Sequence, residues 1–248
     1  MKKSFLFAAA AAMFMVSCNQ VEIDSNAGKL TQNNEGQTVI GAEIVDYKTV
    51  LGTPEDNVYP INWQEGDAIC VNAATSNALA ASDFSGKKAT FTFGEELTSP
   101  YWAVYPASAA GTFGLDGADV TVPSVQGYVA GSFDPAAAIM LGKGEEGISF
   151  VNAMAYIKVK TTGTEKISNV VVTSLGAEAI SGEFTTADFQ TIAPKEGGNT
   201  STSVVLVTET PVDAGTDIIV AIPAQTYASG FMISIQSPDG KVYQKKST

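Results

Sequence analysis

From residue 38 onward, apolar and polar residues alternate in short runs, with Gly, Pro, Asn and Asp between them. A period of two sends successive side chains to opposite faces of an extended chain, so each run predicts a half-buried β-strand. The predicted strands are Thr38–Ile44, Ala68–Val71, Ala89–Phe93, Tyr101–Tyr105, Asp119–Val122 and Ile139–Leu141. Phe150–Lys160, Asn169–Thr173, Ser203–Thr208, Asp217–Ile222, Phe231–Gln236 and Lys241–Lys245 continue the series. In Ala155–Lys160 the aliphatic residues take one face, and Tyr156 and the lysines the other. Phe231, Ile233 and Ile235 alternate with Met232, Ser234 and Gln236 in the same way. No stretch carries a sustained helical stripe, although Ala73–Ala81 has the composition for one or two helical turns. Half-buried strands about ten residues apart predict an all-β chain of antiparallel sandwiches.

About a dozen strands in this length suit two sandwiches in tandem better than one. The turn Gly142–Gly147 offers the seam, giving residues 38–147 and 148–248. A faint internal echo points the same way: residues 101–106 (YWAVYP) and 218–223 (IIVAIP) are both apolar strands stopped by proline. Proline cannot donate to a strand ladder and so ends each run. Near the C-terminus, Ser237–Gly240 predicts a turn and Lys241–Lys245 the start of a returning strand. With the chain stopping at Thr248, either the second sandwich keeps an open edge or the sequence is incomplete.

Residues 1–37 follow different rules. Lys2 and Lys3 precede an uninterrupted apolar run, Phe5–Val16. That run is too short for a bilayer core, which takes roughly 20 helical residues, and fits the apolar region of a signal peptide. It ends in Met15-Val16-Ser17-Cys18, which resembles a bacterial lipobox, with Met15 where leucine is commoner. In such a motif cleavage falls between Ser17 and Cys18, and Cys18 carries the acyl chains, here as palmitate-type anchors. Residues 1–17 are then a lipoprotein signal peptide and residues 18–37 a polar, flexible tether. Glu22 and Asp24 resemble a surface-export signal of Bacteroidetes lipoproteins; as plain linker residues they would also keep the tether solvated.

Composition narrows the chemistry. Among 248 residues there are 14 basic and 26 acidic side chains, and a formal net charge of −12. Every basic residue is lysine; arginine and histidine are missing from the sequence. Without histidine there is no Ser-His-Asp triad, Cys-His pair or imidazole metal ligand. Without arginine there is no guanidinium clamp for phosphate or carboxylate. An acidic chain with scattered lysines also lacks the basic stripe that nucleic acid requires. The composition therefore predicts no enzyme, no cofactor and no nucleic-acid partner. Cys70, between hydrophobic neighbours, reads as a packed core thiol without a base to activate it.

Local motifs each meet a simpler explanation. Residues 142–147 (GKGEEG) match the GxGxxG spacing, but a strand-like run follows where a phosphate-binding loop needs a helix N-terminus, and two glutamates would repel phosphate. Asp116-Gly117 and Asp239-Gly240 are Asp-Gly turn pairs, and even with Asp119 beside the first they fall short of a calcium loop of six to eight oxygens. Glu95–Glu96 and Glu145–Glu146 are adjacent pairs, which on a strand face opposite ways and in a turn are solvated. Trp63, Tyr101 and Trp102 have the flat rings that stack on sugars; Trp102 lies within an apolar strand and reads as core, whereas Trp63, beside a Gly-Asp turn, fits either role.

Several segments together resemble the fimbrillin-like family of Bacteroidetes surface lipoproteins. They are Lys48–Gly52, Ile61–Val71 (INWQEGDAICV), Ala89–Thr92, Tyr101–Pro106, Pro123–Gln126, Phe150–Ala155 and Phe231–Lys246. The specific part is the order of the W-x-x-G-D-x-I-x-V string and the later A-V-Y-P. The resemblance implies two tandem Greek-key, transthyretin-like β-sandwiches, the second incomplete at its C-terminus. It implies a lipid anchor in the outer membrane, surface exposure, and a structural, anchor or adhesion role in a fimbria (pilus).

The same resemblance implies that subunits join by β-strand addition, after an arginine-directed protease removes an N-terminal strand. Its partners would be other fimbrial subunits, self or related, and a host or bacterial surface receptor. Where the family often has arginine, this chain has Lys48. Three readings follow: cleavage at Lys48 or Lys29 by another protease, an uncleaved anchor subunit, or a relative that does not polymerise. From another class, a glycan-binding lipoprotein serving a nutrient importer would show exposed coplanar aromatic rings; an assembling subunit would show a long apolar groove or an unpaired strand edge.

Overall fold

The computed structural model describes residues 31–34, 36–45, 61–114 and 117–247. β1 (Thr31–Asn34) and β2 (Gln37–Ile44) form a hairpin, followed by the short β3 (Cys70–Val71), β4 (Ala74–Thr75) and β5 (Phe84–Ser85). β6 (Lys88–Phe93) and β7 (Tyr101–Tyr105) lead to a 3-10 turn at Ala107–Ala109, then β8 (Ala110–Gly114), β9 (Gly117–Val122) and β10 (Val125–Gly127). A second 3-10 turn, Pro135–Ala137, precedes β11 (Met140–Gly144), β12 (Ile148–Asn152) and β13 (Met154–Lys160). Next come β14 (Ile167–Ser174), β15 (Ser181–Thr186), β16 (Ala193–Pro194) and β17 (Thr200–Ser201). The last four are β18 (Ser203–Val212), β19 (Asp217–Pro223), β20 (Phe231–Gln236) and β21 (Val242–Ser247). The fold is all-β: among the described residues the two 3-10 turns are the sole helical elements. In place of helical turns, Ala73–Ala81 supplies β4 and a loop, because Cys70 and Val71 pair with Thr75 and Ala74.

Four sheets enclose three cores. The largest runs β4-β3-β7-β11-β12-β2-β6-β5, with β1 along β2; β12 and β2 are parallel. A second runs β16-β15-β9-β8 with β17 on β15, a third is the pair β13-β19, and a fourth runs β10-β18-β14-β20-β21. The first core collects one face of the large sheet, including Ile40, Phe91, Phe93, Phe150 and Trp63. The opposite face of the large sheet gives Val104 and Leu141 to a second core with Val120, Phe184, Tyr156 and Ile219. In the third core, Val159, Ile218 and Val220 from the other face of β13-β19 meet Val170, Val172, Val204 and Leu206.

β7 and β19 therefore each lie between two cores, and this is the physical content of the echo between YWAVYP and IIVAIP. A strand buried on both faces loses its alternation, which explains the unbroken Ile218–Ile222 run. Gly142 serves a close approach: a Cβ there would sit 2.5 Å from Ile148 Cγ2 and 3.0 Å from Phe150.

Several boundaries differ from the sequence expectation. Gly142–Gly147 is the hairpin joining β11 to β12, and both strands belong to the large sheet, so the layers do not part there. They part at Ala153. The run Phe150–Lys160 is accordingly two strands, since the chain leaves the large sheet at Asn152 and enters the third as β13. Tyr156 faces the second core rather than solvent, stacked on Phe133 with ring centroids 4.4 Å apart. The stretch expected as a tether, 18–37, contains β1, which pairs with β2 from Thr31↔Ile40 to Asn34↔Gln37; polar residues suffice because the bonds are main-chain ones. Residues 1–17, Ser17, Cys18 and Lys48 lie outside the described residues.

Candidate functional site

The two strands of the third sheet treat their outer edges differently. Opposite β13, the N–H of Ala221 donates to Gln126 Oε1 (2.9 Å), and Gln126 Nε2 donates to Ala221 C=O (2.7 Å). Gln126 is fully buried, so one side-chain amide replaces a neighbouring strand at this point. Ala221 and Tyr156 are directly opposed in the ladder. Since Ala221 turns its polar groups outward, Tyr156 must do the same from β13. Two residues earlier, Asn152 caps Met154 in the same manner: Met154 N–H donates to Asn152 Oδ1 (3.1 Å) and Asn152 Nδ2 donates to Met154 C=O (3.0 Å). Beyond that cap, no described strand lies along this edge of β13.

Beside the edge, the fourth sheet is incompletely covered. All six residues of β20 are half-buried and all six of β21 are exposed. Strands lie about 4.8 Å apart, so a two-stranded layer cannot roof a five-stranded one. The roof sits over β14 and β18, where Val170, Val172 and Val204 are fully buried. What remains is a groove between β13 and β20-β21. One cavity of ≈ 260 Å³ is lined by Lys158, Val159, Lys160, Ile233, Ile235 and neighbours on β21. A second, of ≈ 420 Å³, continues past Ile235 and Tyr243 to the 161–167 loop.

At the far end of the groove, polar contacts tie the β20-β21 turn to that loop. The Lys241 ammonium lies 2.9 Å from Glu165 and 3.0 Å from Asp239, and Tyr243 donates its hydroxyl to Glu165 at 2.7 Å. Bonds from Lys241 and Tyr243 hold the Glu165 carboxyl below its ordinary range; Ser237 and Lys241 bring that of Asp239 down to about 2. Asp217 accepts a hydrogen bond from Lys158 (3.4 Å) and forms an ion pair with Lys160 (3.5 Å).

The motifs weighed on sequence are spread over the molecule. Trp63 is buried, meets Phe91, Tyr105 and Phe150 edge to face at 5.1, 5.3 and 5.4 Å, and donates Nε1–H to Lys87 C=O. Tyr101 is buried, and Trp102 is half-buried against Phe189. The Asp67 carboxyl is pushed up by burial, against bonds from Gln64 N–H and the Tyr105 hydroxyl, and fixes the turn that holds Trp63. Cys70 is a buried free thiol whose pKa burial raises. Asp119 pairs with Lys195, Glu95, Glu96, Glu145 and Glu146 are exposed, and Asp116 lies outside the described residues. Among the described residues no three His, Cys, Asp or Glu side chains gather as metal ligands, and no helix is long and apolar enough to cross a membrane. The caps at Gln126 and Asn152 carried no sequence signal beyond a polar residue in an apolar neighbourhood.

No protein-family model matches this chain, and no curated protein does. Among solved structures it is similar to that of a candidate cell adhesion protein from Bacteroides ovatus, with 14% identity, a TM-score of 0.47 and 84% of each chain covered.

Proposed function

We propose that this chain is a non-enzymatic cell-surface lipoprotein, a structural, anchor or adhesion subunit of a fimbria that joins its partners by β-strand addition. In this reading Cys18 carries the lipid that holds it to the outer membrane, and the layers form two tandem transthyretin-like sandwiches. The observation that carries the proposal is the outer edge of β13 beside the half-exposed apolar side chains of β20. An added strand would satisfy main-chain groups along that edge and bury alternate side chains over Ile233 and Ile235. The glycan-binding alternative draws less support, because Trp63 and Tyr101 are enclosed and Tyr243 is the one large aromatic that is well exposed among the described residues.

The test is a denaturing gel of the native protein from its own envelope, unboiled beside boiled. A heat-sensitive ladder is expected from strand-linked subunits. One monomer band in both lanes would overturn self-polymerisation. Substitution Cys18→Ala should release the protein from membranes, and retention would refute the lipid anchor.

A further inference from the structure

The outer face of the fourth sheet, turned away from the groove, is ordered by strand register into two rows. Val125, Val205, Val171, Ser234 and Gln244 lie side by side across its five strands, and Gly127, Val207, Asn169, Gln236 and Val242 form the next row. None of these valines belongs to the three cores, and Val125 and Val207 are 59% and 42% exposed. Val242 is also exposed, as are Val129 and Leu175, where β10 and β14 run past the rows; among the described residues only Val45 and Tyr243 are large apolar side chains as open elsewhere. Exposed apolar side chains scattered singly mean nothing, but their collection on one flat face marks a contact surface.

The chemistry of the rows selects the occupant. In a chain with 26 acidic side chains and a net charge of −12, neither row holds a charge; Lys246 and Glu209 stand in the flanking rows. The polar side chains beside the valines already bond one another. Asn169 Nδ2 donates to Gln236 Oε1 (2.6 Å), Gln244 Nε2 donates to the Ser234 hydroxyl (3.0 Å), and Thr173 shares a hydrogen bond with Ser203 (2.8 Å). Covering them therefore leaves fewer polar groups unmet. The rows offer no aromatic platform for a sugar and no lysine cluster for an anionic surface. Two copies of this acidic chain repel one another over most of their surface and least across this face.

The two rows are also complementary to each other. A two-fold axis running between them, across the strands, lays each row on the partner's other row. Val125 then stands over the partner's Gly127, which has no side chain, and Val205 over the partner's Val207. Glu209 faces the partner's Ser203, so no like charges are opposed. This is an isologous contact, in the aligned geometry that two twisted sheets adopt face to face.

We propose that the outer face of the β10-β18-β14-β20-β21 sheet pairs with the same face of a second copy. Five strands about 4.8 Å apart, over five residues of each, give a face of roughly 400 Å². That is about half of the ~800 Å² each partner gives to a standard interface, so the dimer is weak and reversible. The contact lies on the side of the sheet away from the groove and stands whether or not a strand is added at β13.

Photo-cross-linking of the purified full chain tests it, with benzoylphenylalanine in place of Val205. Irradiation should give a dimer band whose linked peptide contains the partner's Val207. The same group in place of Thr121, exposed on β9, should give none. Val207→Glu should lower the dimer yield by about tenfold, because it buries a charge against the partner's Val205. Adding Val205→Lys should restore dimerisation in a sedimentation experiment, since each glutamate then faces a lysine. Both positions lie outside the cores, and unchanged Trp63 fluorescence would show that the variants fold. No dimer from the Val205 position, a link mapped away from β18, or a dimer indifferent to Val207→Glu would each overturn the proposal. A heat-sensitive ladder that persists in Val207→Glu while this cross-link is lost would show the face contact to be separate from strand addition, as proposed.

Discussion

The first core and the third core are built from the same alternating strands and end in opposite states. Around Trp63, 2% exposed, three aromatic edges converge, and the 61–79 segment closes over the large sheet. In the third core the fourth sheet is wider than its two-stranded roof, so the alternation of β20 leaves Ile233 and Ile235 half-covered and β21 bare. A strand's pattern of apolar residues thus sets which face can be buried. What stands opposite decides whether it is.

The largest expected effect tests that contrast directly. Trp63→Ala removes the centre of the first core and should cost about 3–5 kcal/mol in a urea titration. Tyr243→Ala, at the open flank and 50% exposed, should cost less than about 1 kcal/mol. Comparable losses would mean that the flank is packed as tightly as the core.

A second pair contrasts the two edges of the β13-β19 sheet. Gln126→Leu strands the N–H and C=O of Ala221 inside the protein and should cost about 2–4 kcal/mol. Asn152→Leu uncaps Met154 at the half-open edge, where water can reach, and should cost about half as much. Equal denaturation midpoints would erase the distinction between a sealed edge and an open one. Of comparable size is Gly142→Ala, expected at about 1–3 kcal/mol because Ile148 and Phe150 must move aside.

Strand positions were legible from the run of apolar residues, both for Tyr101–Tyr105, which lies between two cores, and for Phe231–Gln236, which alternates. Layer membership was not legible. Nothing in Phe150–Lys160 marks Ala153 as the point where the chain changes sheet, because both halves keep the same period and the break is a tertiary event. Tyr156 looked like a solvent-facing residue beside Lys158, since local sequence cannot show that the second core extends beneath it. At the flank, the returning strand after Pro238 was legible, but not whether it leaves an open edge. The width of the flank depends on how many strands roof it, a non-local quantity.

The smallest effect has a sign that differs between the two regions. At the flank, Glu165 and Asp239 have folded-state values below their ordinary ones, Asp239 near 2 against 3.8. A depressed carboxyl stabilises the fold above its unfolded value, and the contribution is lost as pH falls through the folded one. The ties from Lys241 and Tyr243 to the 161–167 loop should therefore loosen between about pH 4 and pH 2. Asp67, beside Trp63, has a raised value, chiefly from burial. Its contribution is fully present below the ordinary 3.8 and fades as pH rises through the folded value, so acid favours the fold at that site. On acidification, amide exchange in β21 should accelerate before that in β6 and β7, with Trp63 fluorescence unchanged. Because these flank groups are solvent-exposed, high salt should shrink the difference. Simultaneous loss of protection in β21 and β6 would show that the flank does not open independently of the first core.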